Sequence, residues 1–198
     1  MRTASITRKT RETDILATIN LDNTGECKIA TGIGFLDHML TALAVHGGFG
    51  LQLHCKGDLE VDCHHTTEDV GIVIGRAIKE ALTTPSAKGA VAPFMRYGSA
   101  RIPMDESIGW CDLDISGRPY LVFKAEFAHP KVGELDTQMI KEFFHAVSLN
   151  AKLTLHIGAD GENDHHKIEA MFKAFAYAIK EAVRVNTEGK IISTKGVL

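Results

Sequence analysis

The sequence is short of the features that would place a chain outside the ordinary globular class. It has no run of Lys or Arg and a formal net charge of only −3 over 198 residues, so there is no basic stripe to track nucleic-acid phosphates. Its longest apolar runs, such as VGIVIG from Val70 to Gly75, are far too short to span a bilayer. The opening MRTASITRKTRETD is polar and lacks the apolar centre of a secretory signal. Cytoplasmic residence is the expectation. Four cysteines (Cys27, Cys55, Cys63, Cys111) form no C-x-x-C pair, and a chain of this length buries enough core to need no disulfide framework, so they read as reduced thiols. Cys63, although it precedes a histidine pair, reads as a small buried residue. What is present, 44% apolar and 24% charged residues, is the composition of one domain or two closely packed halves.

The chain says almost the same thing twice. AIKEAL at Ala77 to Leu82 returns as AIKEAV at Ala178 to Val183, an offset of 101 that also carries His64, His65 and Glu68 onto His165, His166 and Glu169. LQLH ending at His54 matches LTLH ending at His156, and FLDHML from Phe35 matches MIKEFF from Met139. This last alignment sets Glu142 opposite His38, with His145 as the rival that needs a larger loop change. TDILATINLD and SIGWCDLDI are β-rich, LQLHC and LTLHI alternate as strands do, and long helices are expected after each histidine pair. Gly47-Gly48 is expected to close the helix of FLDHMLTALAVHGG. The fold expected is α+β: two half-domains, residues 1–88 and 89–198, each a mostly antiparallel sheet with helices on one face, together forming one catalytic unit.

On a helix His64 and Glu68 share a face, while His65 points about 100° round the axis. Adjacent histidines should therefore diverge and serve different ions, and in an assembly they can face different subunits. One such pair could merely cap a helix. Two H-H-x-x-E copies at matched positions are hard to explain by packing. With His38 and Glu142 the chain offers eight donors, enough for two sites of four. Imidazole plus carboxylate without thiolate suits Mn, Fe, Zn or Ni, and four donors on an octahedral ion leave two positions open for substrate or water. His54 and His156 read as structural or supporting residues on the strand face opposite the neighbouring leucines, and His46 and His129 as loop or surface residues.

The repeat breaks at Lys173, four residues after Glu169, where the first half has Ile72. One asymmetric substrate needs such a difference. Arg96 in FMRYG, Arg118 in SGRPY and Lys195 in ISTKG, beside Ser193 and Thr194, are cations and hydroxyls suited to an anion.

These residues also carry a family resemblance. RKTRETDI, TGIGFLDHML, DCHHTTEDVGIVIG, RYGSARIPMDE, DISGRPY, DHHKIEAMFKAFA and STKGVL resemble the imidazoleglycerol-phosphate dehydratases of histidine biosynthesis, in order and spacing, over nearly the whole chain. The resemblance implies dehydration of imidazole-glycerol phosphate to imidazole-acetol phosphate, two manganese ions per active site, and a hollow assembly of 24 subunits built from trimers. It implies metal ligation by His38, His64, His65, Glu68, His165, His166 and Glu169. Glu142 stands where other members have histidine. The resemblance further implies that Glu12, otherwise a strand-edge carboxylate, belongs to the substrate site, and that Arg96, Arg118, Lys173, Ser193 and Lys195 grip phosphate.

The chemistry is demanding, because the proton to be lost sits on a hydroxyl-bearing carbon rather than beside a carbonyl. On this reading, metal binding to the substrate ring would favour its imidazolate form, which could then expel the adjacent hydroxyl and give a diazafulvene-like intermediate. Loss of the neighbouring proton then yields an enol and finally the ketone. Glu12 and Glu169 are the carboxylates proposed for proton transfer. The same residues leave two other readings open, a binuclear hydrolase of a phosphorylated metabolite and a non-catalytic metal-binding protein.

Overall fold

The computed structural model describes residues 1–23, 25–85 and 91–187. Its elements run β1 (Thr3–Lys9), β2 (Thr13–Asn20), β3 (Cys27–Ala30), α1 (Gly34–Gly47), β4 (Gly50–Gly57) and α2 (His64–Thr83), followed by β5 (Tyr97–Met104), β6 (Ser107–Asp114) and β7 (Tyr120–Lys124). Then come β8 (Lys131–Val132), β9 (Leu135–Asp136), α3 (Met139–Ala151), β10 (Thr154–Asp160) and α4 (Asp164–Val183). One sheet has the order β1-β2-β4-β3 and the other β5-β6-β10-β7. In both, the first two junctions are antiparallel and the last is parallel. This is the duplicated α+β architecture expected from the repeat. The proposed boundary at 88/89 lies outside the described residues.

Alternation sets each sheet's inner face. Along β2, Thr13, Ile15, Ala17 and Ile19 are buried while Asp14 and Leu16 are exposed, and the same period of two turns Leu51, Leu53 and Cys55 of β4 inward and His54 outward. His156 is likewise exposed between the buried Leu155 and Ile157. The helices meet between the sheets: α2 packs on β1, β2 and α3, and α4 packs on β5, β6 and α1.

In α4, Ile168, Met171, Phe172, Phe175 and Ile179 recur at helical spacing and are fully buried. Phe143, Phe144, Phe172 and Phe175 pack with ring centroids 5.0 to 5.6 Å apart where α3 meets α4. Small residues set the layer spacing. A Cβ on Gly98 would sit 1.9 Å from Ala178 O, and one on Gly71 of α2 would sit 2.8 Å from Phe143 O of α3.

Helix α1 ends as expected, with Gly48 left-handed at φ 70° and its N–H donating to Ala44 O. Helix α3 ends on a left-handed residue too, Lys152 at φ 58°. Gly48 and Lys152 stand at the same offset as His38 and Glu142, so helix geometry agrees with that pairing. Among the described residues no helix is long and apolar enough to cross a membrane.

Candidate metal centre and substrate site

Both histidine pairs begin a helix, and other residues do the capping. Asn163 Oδ1 accepts from the N–H groups of His165 and His166, at 2.9 and 3.3 Å, and Asp62 Oδ1 accepts from His64 N at 2.7 Å. The imidazoles are thus free for other work. Adjacent rings diverge: His64 and His65 lie 6.1 Å apart at 69°, and His165 and His166 lie 6.1 Å apart at 78°. Each pair therefore serves two neighbourhoods.

The neighbourhood of His165 gathers three donors that could hold a cation. His38 from α1 and His165 from α4 both turn Nε2 toward Glu169 Oε2, at 3.3 and 3.2 Å, and one donor atom from each of the three lies within 4.8 Å of the others. The ring of Phe35 packs edge-on to His165 with centroids 5.0 Å apart. Lys173 Nζ is 2.7 Å from the other oxygen of Glu169 and also approaches Met104 Sδ at 3.4 Å. Burial pushes the Glu169 carboxyl up, but the hydrogen bond and charge of Lys173, with help from His165 and His38, hold it below the ordinary carboxylate range. An ionised carboxylate beside two imidazoles is a donor set that fits a divalent ion.

The matching set in the first half is open. His64 Nε2 is 3.5 Å from Glu68 Oε2, and the two side chains are 47% and 45% exposed. Among the described residues no third donor closes on this pair. Glu142 and its rival His145 instead line a cavity of about 480 Å³ with Tyr120, Leu121 and Ser148.

The second histidine of each pair is held from behind. His65 Nδ1 lies 2.9 Å from Asp58 Oδ2 and its Nε2 lies 3.8 Å from Glu12 Oε1. His166 Nδ1 lies 2.7 Å from Glu106 Oε2 and its Nε2 lies 3.7 Å from Asp105 Oδ2. The carboxylate bond raises the pKa of both rings above the ordinary histidine value. Glu106 in turn is depressed, first by the hydroxyl of Ser107 and then by Asn163 N–H and His166. Glu12 is half-exposed beside His65, at the connection between β1 and β2.

The described cations Arg96, Arg118 and Lys173 do not gather at one place. Arg96 is buried, with φ 78°, and forks onto Asp114 with Nε to Oδ1 at 2.6 Å and Nη2 to Oδ2 at 3.0 Å. Arg118 is exposed and lies 4.0 Å from the same carboxylate. Asp114 pairs with Tyr97 at one end of the β5–β6 ribbon, whereas Met104, beside Lys173, pairs with Ser107 at the other. Asp114 belongs to the outward set of β6, and Lys173 lies beneath the inner face. Ser193, Thr194 and Lys195 lie outside the described residues.

Several participants were not singled out from sequence. Asp58, Asp105 and Glu106 are polar loop or turn residues whose distance to a histidine only the fold sets. Among the described residues the β8–β9 hairpin has no counterpart in the first half, and the hairpin with the residues just before it braces both helix starts. Asp164 accepts from Ala128 N, His129 N and buried Lys167, at 3.1, 2.8 and 2.7 Å, and His129, read as a surface residue, has Nδ1 3.0 Å from Asp164 Oδ2 while its ring stays exposed. Cys63 is buried as expected, and its thiol donates to Asp136 Oδ2 at 3.5 Å.

Comparison with known proteins finds relatives over the whole length of the chain. The family model described as imidazoleglycerol-phosphate dehydratase matches residues 31–179. The chain is similar to the imidazoleglycerol-phosphate dehydratases of Methanosarcina barkeri, 55% identical over 199 residues and the whole of both chains, and of Listeria welshimeri, 54% identical over 200 residues and again the whole of both. Among solved structures it is similar to the Staphylococcus aureus imidazoleglycerol-phosphate dehydratase, with TM-score 0.82 and 42% identity over 93% of this chain and 99% of that one. The Pyrococcus furiosus structure gives TM-score 0.83 and 34% identity over 98% of this chain and 100% of that one.

Proposed function

The chain belongs to the imidazoleglycerol-phosphate dehydratase family, and from that premise we propose that it converts imidazole-glycerol phosphate into imidazole-acetol phosphate with two manganese ions per active site. As a member it is a hydro-lyase of histidine biosynthesis. The observation that carries the metal part is the convergence of His38, His165 and Glu169. On this reading His38, His64, His65, Glu68, Glu142, His165, His166 and Glu169 supply the two ligand sets, with His145 as the substitute for Glu142. When bound, the ions supply Lewis-acid polarisation of the substrate ring.

The other residues then bind, orient and move protons. Glu12, exposed beside His65, takes up and returns the carbon-bound proton at its carboxylate, and Glu169 is the second candidate for proton transfer. Arg96, Arg118 and Lys173, with Ser193, Thr194 and Lys195, hold the phosphate arm and so supply orientation. Within one chain Arg96 and Lys173 sit on different faces and at opposite ends of a sheet. That separation supports active sites assembled from several copies, and we read those copies as a cytoplasmic shell of 24 subunits built from trimers. Residues 1–88 and 89–198 act in it as one catalytic unit.

The test is chelator-stripped protein assayed for imidazole-acetol phosphate and for free phosphate, before and after manganese is added, with particle size followed by light scattering. Restored dehydration without phosphate release is expected, together with a smaller particle in the stripped state. Metal rebinding without product would overturn the metal-dependent dehydratase reading, and phosphate release would replace it with a hydrolase. A particle unchanged by complete metal removal would count against ligands shared between subunits.

A further inference from the structure

We propose that Asp58 and Glu106 are positioning residues that fix the tautomer of His65 and His166, so that each ring carries its proton on Nδ1 and presents the Nε2 lone pair as a metal donor. The inference rests on the metal-binding reading of those histidines, and it assigns a task to two carboxylates that the site otherwise leaves without one. A carboxylate behind an imidazole selects the proton position and the ring orientation at once. Both bonds are short, 2.9 Å for Asp58 and 2.7 Å for Glu106, and both are made to Nδ1.

The stronger observation is that duplication does not explain the match. Asp58 follows β4, whereas Glu106 sits in the turn between β5 and β6. At the offset shared by His54 and His156, the counterpart of Asp58 is Asp160, whose Oδ1 accepts from Gly161 N at 3.0 Å instead. Two non-equivalent carboxylates thus reach equivalent nitrogens of equivalent rings. A surface ion pair inherited by duplication would have kept the same partner. What has been kept is the bond to Nδ1, which is what a ligand tautomer requires. On the far side of each ring, Glu12 and Asp105 stand 3.8 and 3.7 Å from Nε2, so Nε2 faces other oxygen groups in each half.

The experiment compares wild type with Glu106→Ala, Glu106→Gln, Asp58→Ala and Asp58→Asn. Manganese alone is titrated, and free ion is read by electron paramagnetic resonance. Histidine-nitrogen spectra of the metal-free protein are recorded by magic-angle-spinning NMR at alkaline pH, where the rings are neutral. Each alanine variant should weaken one class of manganese site about 10- to 100-fold and move its ring toward the Nε2–H tautomer. Each amide variant should recover most of both effects, because a carbonyl oxygen still accepts from Nδ1–H. Folded alanine variants that keep the Nδ1–H tautomer and wild-type affinity would overturn the proposal. Wild-type protein that takes up no manganese would sink the metal reading itself, and the nitrogen spectra would then judge the tautomer assignment alone: Nδ1–H supports it and Nε2–H overturns it.

Discussion

Replacing Lys173 with methionine removes the cation 2.7 Å from Glu169 Oε1 and keeps an unbranched side chain suited to the helix. Taking one partner from a buried ion pair costs about 3–5 kcal/mol, because the other charge is left uncompensated. Here Glu169 is 9% exposed and Lys173 17%, and the imidazoles of His165 and His38 remain at 3.2 and 3.3 Å, so a loss of about 2–3 kcal/mol is expected in the ion-free protein. For a chain of this length each kcal/mol moves Tm by roughly 2–4 °C, so the ion-free variant should melt about 4–12 °C lower. Manganese bound at His38, His165 and Glu169 would replace the missing positive charge. It should restore most of the loss, and raise the Tm of the variant more than that of wild type. The assay is a set of paired thermal melts, with chelator and with manganese, at one fixed protomer concentration. Metal content should stay at the wild-type level while substrate affinity falls. Equal melting of both proteins without ion would refute the energetic role of the pair. An equal rise with manganese would remove Glu169 from the ion site, and loss of metal would contradict the assignment of Lys173 to the substrate.

Gly71→Ala sets two effects against each other: alanine gains about 0.8–1 kcal/mol in helix propensity, while overpacking costs about 1–3 kcal/mol. The new carbon would sit 2.8 Å from a backbone oxygen, Phe143 O, and 2.9 Å from Ala146 Cβ, neither of which can rotate away, so the overlap wins and urea melts should show a net loss of up to about 2 kcal/mol. Gly34→Ala, with nothing within 4 Å of the added carbon, is the control and should leave stability unchanged or slightly higher. Burial pushes the Cys55 thiol from 9.0 up to about 11, so between those values the unfolded chain holds fewer protons than the folded one and stability falls as pH rises. Cys55→Ala should flatten that fall in denaturant melts taken across the range, and an unchanged slope would refute the assignment; Cys55 and buried Cys111 should resist a thiol reagent until the chain unfolds.

What could be read in the sequence was whatever depends on period and repetition. The matched H-H-x-x-E motifs located both helix starts, and a rotation of 100° per residue was enough to send His165 toward His38 and His166 toward Glu106. Gly47-Gly48 marked a helix end because glycine alone adopts the left-handed conformation without a Cβ penalty. Lys152 does the same job in α3 at φ 58°, and no residue preference announced it. The partners of the rings were hidden for a related reason. Glu106 lies 60 positions from His166 and Asp136 lies 73 from Cys63, and pairings at that range follow from strand register and hairpin placement rather than from local pattern. Arg96 was read as an anion-binding residue from its context alone. In the folded chain its guanidinium is already engaged by Asp114, so phosphate would have to share or displace that carboxylate.

The two halves hold the same ligand types in unequal states of readiness. In the second half, Lys173 fixes Glu169 against buried surroundings, and His38 and His165 already face it. An ion arriving there finds its donors ordered but must compete with an ammonium for the carboxylate. In the first half Ile72 takes the place of that lysine, and Glu68 and His64 remain half in solvent. An ion there meets no lysine at that place but must order two exposed side chains and draw in further donors. Ordering costs roughly 1–2 kcal/mol for a glutamate-sized side chain, while displacing the part-buried Lys173 costs electrostatic energy that the ion's own charge largely returns. The balance favours earlier filling of the site built on Glu169. On the proposed two-ion reading, the break in the repeat at position 173 would separate the two ion sites in affinity as well as giving the site a direction for its substrate.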